Sequence, residues 1–189
     1  MVSARHGRWR LGTVDRVVLE DVIIPWFASK ADVVRVLDVG VDWYTRSYPK
    51  LFPRQDFWTV DVDSEKRRFA TEQHHTASIV DLLQFFDPDQ FDLILCNGVF
   101  GWGLQESAEV EAALRAAAAV LRPGGWLVIG WNDCEDHRVL NLPEKAGTYL
   151  TPFVHPAIGA DHLLTKTSYQ HRYDFFQKAG RPTGAEALR

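Results

Sequence analysis

Three runs of branched and aromatic residues each end on polar side chains able to hold a ligand. Val33 to Gly40 closes on Asp38 and Gly40, Phe57 to Asp63 on Asp61 and Asp63, and Phe91 to Gly98 on Asn97 and Gly98. Such runs read as strands buried on both faces, so their polar ends gather along one edge of a parallel sheet. Gly40 lacks a Cβ, which lets backbone approach a ligand and permits positive φ. Asp38 is read as a catalytic acid or, more simply, as a cap for backbone amides of the glycine loop. Trp43, Tyr44, Phe100 and Trp102 fall on two loops expected to meet above the sheet, where flat rings line a substrate pocket or pack on one another. His137, just past Glu135 and Asp136, carries an imidazole that titrates near neutrality and suits a general base; the plainer alternative is a solvated loop histidine. His74, His75 and His171 show no metal-ligand spacing and read as strand or solvated residues.

The elements that must position these residues follow from periodicity. Val14, Val17, Val18, Val22 and Trp26 recur at helical spacing, with Thr13 as N-cap and Pro25 as a stop. Ser64 to Arg68 reads as a capped helical turn, and His74 to Ile79 as a short, polar strand. Val110, Ala113, Leu114, Ala117, Val120 and Leu121 form one helical stripe, ended by Arg122-Pro123-Gly124-Gly125. That segment is expected to turn the chain sharply into a strand over Trp126 to Trp131. The stretch from Asn132 to Gly159, with three prolines, reads as a functional loop or lid. Paired signals at 163–167 and 169–176 predict an antiparallel hairpin at the sheet edge. Alternating strands and helices predict an α/β, doubly wound and mostly parallel sheet. The division is a flexible basic N-terminus over 1–12, one domain over 13–179 and a loose tail over 180–189.

Composition narrows the classes of function. The 189 residues are 46% apolar and 24% charged, which suits one globular domain with a real core. A formal charge of −4 lacks the basic excess of a protein that coats nucleic acid or anionic lipid, so neither is an expected partner. Val17 to Phe27 is broken by Glu20, Asp21 and Pro25 and makes neither a signal core nor a membrane span. Two cysteines, Cys96 and Cys134, form no metal motif and read as thiols of a reducing cytoplasm.

In this order and at these separations, Leu37-Asp38-Val39-Gly40, Val60-Asp61, Phe91-Asp92-Leu93-Ile94 and Leu121-Arg122-Pro123-Gly124-Gly125 resemble the class I S-adenosylmethionine-dependent methyltransferases. The resemblance covers residues 33 to 131 and implies a seven-stranded sheet with the cofactor, S-adenosyl-L-methionine, beyond its carboxyl edge. It further implies that Asp61 accepts hydrogen bonds from the ribose hydroxyls, that Ser78 and Ile79 contact adenine, and that Asn97 and Gly98 border the methionine portion. Asp38 and Gly40 complete the expected cofactor set, while Trp43, Tyr44, Phe100, Trp102 and Trp131 are expected at the acceptor. Asn132 and Asp133 stand where metal-dependent members carry a ligand or base. The companion acid is missing at Cys96-Asn97, so no metal is expected and Asp133 joins His137 as a catalytic candidate. The family's usual Gly-x-Gly reads Gly40-Val41-Asp42 here, which sets a negative charge near the expected cofactor carboxylate. The implied activity is methyl transfer to a small molecule of secondary metabolism, with a homodimer as a possible assembly. The alternatives are the same fold turned to cyclisation or isomerisation, and a non-catalytic partner module with a vestigial pocket.

Overall fold

The computed structural model describes residues 2–5, 8–138 and 141–180, with side chains over 11–136 and 141–180. Strands β1 (Val2–Arg5) and β2 (Arg8–Leu11) pair only with each other, as an antiparallel hairpin apart from the main sheet. The expected tail from residue 181 onward lies outside the described residues.

Helix α1 runs over residues 14–28, and Pro25 does not stop it. Proline lacks the N–H that would bond one turn back. The preceding turn, Leu19–Ile23, is in the wider π form, and α geometry resumes over Ile24–Ala28. A single π turn within a helix is a known way of absorbing such a break. Thr13 takes the N-cap position, though its hydroxyl makes no capping bond.

The main sheet is built from β3 (Arg35–Val39), β4 (Asp56–Asp61), β5 (His74–Thr76), β6 (Phe91–Asn97), β7 (Leu121–Asn132), β8 (Thr151–Pro152), β9 (His162–Leu164) and β10 (His171–Gln177). Their order is β5-β4-β3-β6-β7-β10-β8, with β9 also on β10. The pairs from β5 through β7 are parallel, and those made by β10 are antiparallel. The sheet thus has the expected doubly wound form and edge hairpin. It has eight strands because two short ones, β8 and β9, share the outer flank of β10. The chain winds outward from β3 to β5 and then returns to β6, which opens a crevice where the carboxyl ends of β3 and β6 diverge.

Alternation along the strands builds two cores. Leu37, Ile94, Cys96, Leu127, Ile129 and Trp131 face the stripe of α2 (Ser107–Val120), including Val110, Ala113 and Leu114. Val36, Leu93, Leu95, Trp126 and Val128 face α1 through Leu19, Ile23 and Phe27. At about 25 cal/mol per Å² of apolar surface, these two layers are the main source of stability.

Helix α2 ends at Val120, one residue before the Leu121 predicted from sequence, and Arg122 to Gly125 is no tight turn. It is the irregular start of β7, where pairing with β6 shifts between Phe91 and Leu93. Asp92 fills that break. Its Oδ2 accepts the Val34 and Arg35 N–H groups at 2.8 and 2.7 Å, and its Oδ1 accepts Nε of Arg122. Gly125 is required there, because a Cβ would lie 2.9 Å from the Arg122 carbonyl. Beyond β7, the expected loop contains two short helices, α3 (Glu135–Arg138) and α4 (Leu142–Gly147), before β8.

Candidate functional site

The loop that leaves β3 is held by Asp61 at the end of β4. Its Oδ2 accepts Val41 N–H at 2.7 Å and its Oδ1 accepts Asp63 N–H at 2.8 Å. Asp61 therefore does the capping that the sequence reading offered to Asp38. Gly40 enters the loop at φ +92°, and a Cβ would come within 3.0 Å of Val99 Cγ2 and 3.3 Å of the Asn97 carbonyl, so both conformation and space call for glycine. Asp63 caps the 3-10 turn Ser64–Phe69 through Glu65 N–H, as expected of that turn. Asp42 does not project its charge into the crevice: its Oδ2 is 2.6 Å from Lys66 Nζ and its Oδ1 accepts Trp43 N–H.

Asp38 is 3% exposed, and burial raises its carboxyl to about 8 against the lowering field of Arg16, with Asp61 raising it further. Ser78 and Ile79 lie past β5, but the Ser78 hydroxyl caps the turn Ile79–Gln84 and Ile79 is packed in the α2-side core.

Beside the loop, a cavity of about 520 Å³ opens at the ends of β6 and β7. Its lining brings together Tyr44, Asn97, Gly98 and Trp102, four of the residues singled out from sequence. It also includes Asp15 and Arg16 of α1, Asn132 of β7, and Tyr169 and His171 at the start of β10. Gly98 stands at φ +76°, and a Cβ there would meet nothing within 4 Å, so backbone borders open space. Three residues expected at the acceptor are elsewhere. Phe100 and Trp131 are buried in the α2-side core, where Trp131 lies by the strict alternation of Leu127 and Ile129, and its Nε1 donates to Asp174 Oδ2 at 2.7 Å. Trp43 packs edge-on against Tyr44 but does not line the cavity. Asp133 is engaged by Arg172 at 3.3 Å, and the side chain of His137 lies outside the described residues.

His171 opens β10, a strand residue as the sequence reading allowed, and its ring lines the cavity. Its Nδ1 lies 2.8 Å from Asn132 Oδ1 and its Nε2 3.1 Å from Asn97 Oδ1. Burial lowers its pKa to about 4, despite the opposing field of Asp15, so the ring is neutral at physiological pH. A neutral imidazole has one donor and one acceptor. The Asn97 Nδ2, otherwise buried without a partner, satisfies Nε2 once the amide is turned over. Asn97 can reach this far because Gly130 faces it; a Cβ at Gly130 would overlap the Asn97 amide. A glycine inside the Trp126–Trp131 run was the one local signal of that close approach.

Among the described residues no group of three His, Cys, Asp or Glu side chains could hold a metal ion, and no helix is long and apolar enough to cross a membrane. Cys96 and Cys134 are free, and burial pushes the Cys96 thiol up.

Residues 37–129 match the family described as "Methyltransferase domain". A search of curated proteins returns no match. Among solved structures the chain is similar to the N-methyltransferase NodS of Bradyrhizobium japonicum, with 18% identity and a TM-score of 0.63 over 83% of this chain and 93% of that one. A TehB-like methyltransferase of Corynebacterium glutamicum has 18% identity and a TM-score of 0.61, covering 82% of this chain and 86% of that one. The 16S rRNA methyltransferase RsmC of Thermus thermophilus has 17% identity and a TM-score of 0.59, over 97% of this chain and 46% of that one. These likenesses are of fold. With this strand order, residues 37–129 are similar to the methyltransferase domain family, a match over just under half of the chain.

Proposed function

We propose that the chain transfers a methyl group from S-adenosylmethionine to a small-molecule acceptor bound in the cavity beyond β6 and β7. The observation that carries this reading is that cavity: it joins the glycine loop side, through Tyr44 and Gly98, to a polar end made by Asn97, Asn132 and His171. The residues present fit the cofactor. Gly40 and Gly98 keep two backbone stretches clear of side chains, and Asp61 retains one lone pair on each oxygen beyond its two loop amides, available to a ribose diol. When bound, S-adenosylmethionine supplies a methyl group activated on a sulfonium. The protein then aligns and desolvates the acceptor, and much of the barrier in such a displacement is positional.

Tyr44 and Trp102 flank the acceptor, while the Asn97 and Asn132 amides fix its polar edge. His171, neutral and held on both sides by amides, is a weak base and acts as a positioning residue. An acceptor that presents a free lone pair at neutral pH, such as a neutral amine, needs no stronger base. Less than half of the RNA-methylating RsmC chain is matched, so the likeness to it lends little support to an RNA acceptor. The net charge of −4 also favours a small acceptor.

The test has two steps. Titration calorimetry with S-adenosylhomocysteine is expected to give saturable binding. Incubation with methyl-tritiated S-adenosylmethionine and either a small-molecule cell extract or total RNA is expected to label the extract alone. Binding without label in either would favour the non-methylating alternatives, and label in RNA would overturn the small-molecule assignment.

A further inference from the structure

We infer that the acceptor is amphipathic: its polar reacting end enters the cavity, and a flat or extended apolar body stays outside on a rim made by the rings of Trp43, Trp102 and Tyr169. This rests on the methyl-transfer reading above and names the class of molecule on which that site acts. A cavity of about 520 Å³ is on the scale of a single drug-sized ligand. It borders the glycine loop through Tyr44 and Gly98 and must also admit the reacting end of the cofactor, so only one end of an acceptor is enclosed.

The rings at the mouth are held out by the fold. Trp102 is 67% exposed, although an indole is ordinarily well buried. In the turn that carries it, Gly101 N–H donates to the Leu104 carbonyl at 2.8 Å, and the Gly103 and Leu104 N–H groups donate to the Val99 carbonyl at 2.9 and 3.1 Å. Phe100 and Leu104, on either side of the tip, are buried in the α2-side core, which fixes the turn and leaves Trp102 outside. Tyr169 is 37% exposed; its hydroxyl donates to Asp15 at 2.8 Å, and its ring stands edge-on to His171 at 6.3 Å. Its polar tip is thus occupied, and its ring joins the polar end of the cavity to the mouth. Trp43, 40% exposed, carries the apolar surface outward from Tyr44, whose ring centre is 5.5 Å away.

The size of the rim chooses its occupant. Three rings of about 150–250 Å² each, exposed to these extents, offer on the order of 300 Å². A stable protein partner takes about 800 Å² from each side. The rings supply less than half of that, whereas they suit one face of a fused-ring or long-chain molecule, and they are continuous with the Asn97, Asn132 and His171 end of the cavity. A wholly polar acceptor would leave the rings in water and gain nothing from them.

The experiment loads the full chain with S-adenosylhomocysteine and titrates it with N-phenyl-1-naphthylamine, an uncharged flat fluorophore that brightens in apolar sites. Saturable binding is expected. Trp102→Ser is expected to weaken it by about 10- to 30-fold and Tyr169→Ser by about 5-fold, while Tyr169→Phe, which keeps the ring, changes it by less than about 2-fold. Leu83→Ser, at an exposed apolar side chain of the turn Ile79–Gln84, is expected to leave it unchanged. Affinity for S-adenosylhomocysteine should stay within about 3-fold of the parent in every variant, which separates loss of the rim from loss of the fold. In the tritium assay, label transferred to the cell extract is expected to partition into butanol. Label confined to water overturns the inference, as does a loaded chain that gives no saturable fluorescence, or an equal loss of fluorophore binding in Leu83→Ser. A dimer in sedimentation that dissociates in Trp102→Ser would make the rim an interface between copies, and that too overturns it. Should the parent bind no S-adenosylhomocysteine, the S-adenosylmethionine reading itself fails, and the inference with it.

Discussion

Asp61 and Asp42 sit on neighbouring loops, yet the structure gives them opposite tasks. Asp61 holds two backbone amides at 2.7 and 2.8 Å, so Asp61→Ala is expected to lower unfolding stability by about 1–3 kcal/mol as well as affinity for S-adenosylhomocysteine. Asp63→Ala removes only a cap on a short turn, and its cost of about 0.5–2 kcal/mol should leave affinity intact. Urea melts and calorimetry on the two variants check the contrast. For Asp42 the sequence suggested repulsion of a carboxylate, so that Asp42→Gly would tighten binding. The Lys66 pair reverses that expectation: the variant should bind S-adenosylhomocysteine no more tightly than the parent, with a stability change within about 1 kcal/mol. The acids at the strand ends were legible because each closes an apolar run. Which acid caps the loop was not legible, since Asp38 and Asp61 occupy equivalent places in sequence and only strand register separates them. Trp131 could have been assigned to the core from alternation alone, whereas the exposed Trp102 had no local signal to set it apart from Phe100.

At the scale of elements, the Arg-Pro-Gly-Gly segment joins three strands through one carboxylate. Asp92 binds the entry of β3 through two amides and the start of β7 through Arg122, whose Nη2 also donates to the Asp32 carbonyl at 2.8 Å. Asp92→Ala leaves those amides and a half-buried guanidinium without their acceptor, and a loss of about 3 kcal/mol is expected from denaturant unfolding. Asp92→Asn should lose less, because its amide oxygen still accepts. Strands and α2 were readable from their apolar periodicity. The cavity wall was not, because Arg16 and Asp15 come from α1 while Tyr169 and His171 come from the far end of the chain. Their meeting is a tertiary event that no window of sequence contains. The persistence of α1 through Pro25 was likewise hidden, since a proline reads locally as a stop and only packing of Ile23, Ile24 and Phe27 against the sheet keeps the helix going.

For the molecule as a whole, two buried groups at the site set opposing pH dependences. His171 is lowered from 6.5 to about 4, so the unfolded chain takes up a proton that the native state refuses, and stability is lost as pH falls through that window. His155 and His74, also lowered by burial, act with the same sign. Asp38, raised from 3.8 to about 8, holds a proton in the native state that the unfolded chain has released, so its contribution fades as pH rises toward 8. Stability is therefore expected to peak near pH 6.5 and to decline toward pH 8, with Asp38→Asn abolishing the alkaline decline; chemical unfolding across that range measures both. The contacts of Asp15 have a further consequence. Its carboxylate accepts Tyr169 Oη and its carbonyl accepts Tyr173 Oη at 3.1 Å, across 154 and 158 residues of chain. A nascent polypeptide emerging from a ribosome thus exposes α1, with its apolar face and lone guanidinium, long before β10 exists to close the wall, and gains a ligand site only when that last strand threads into place.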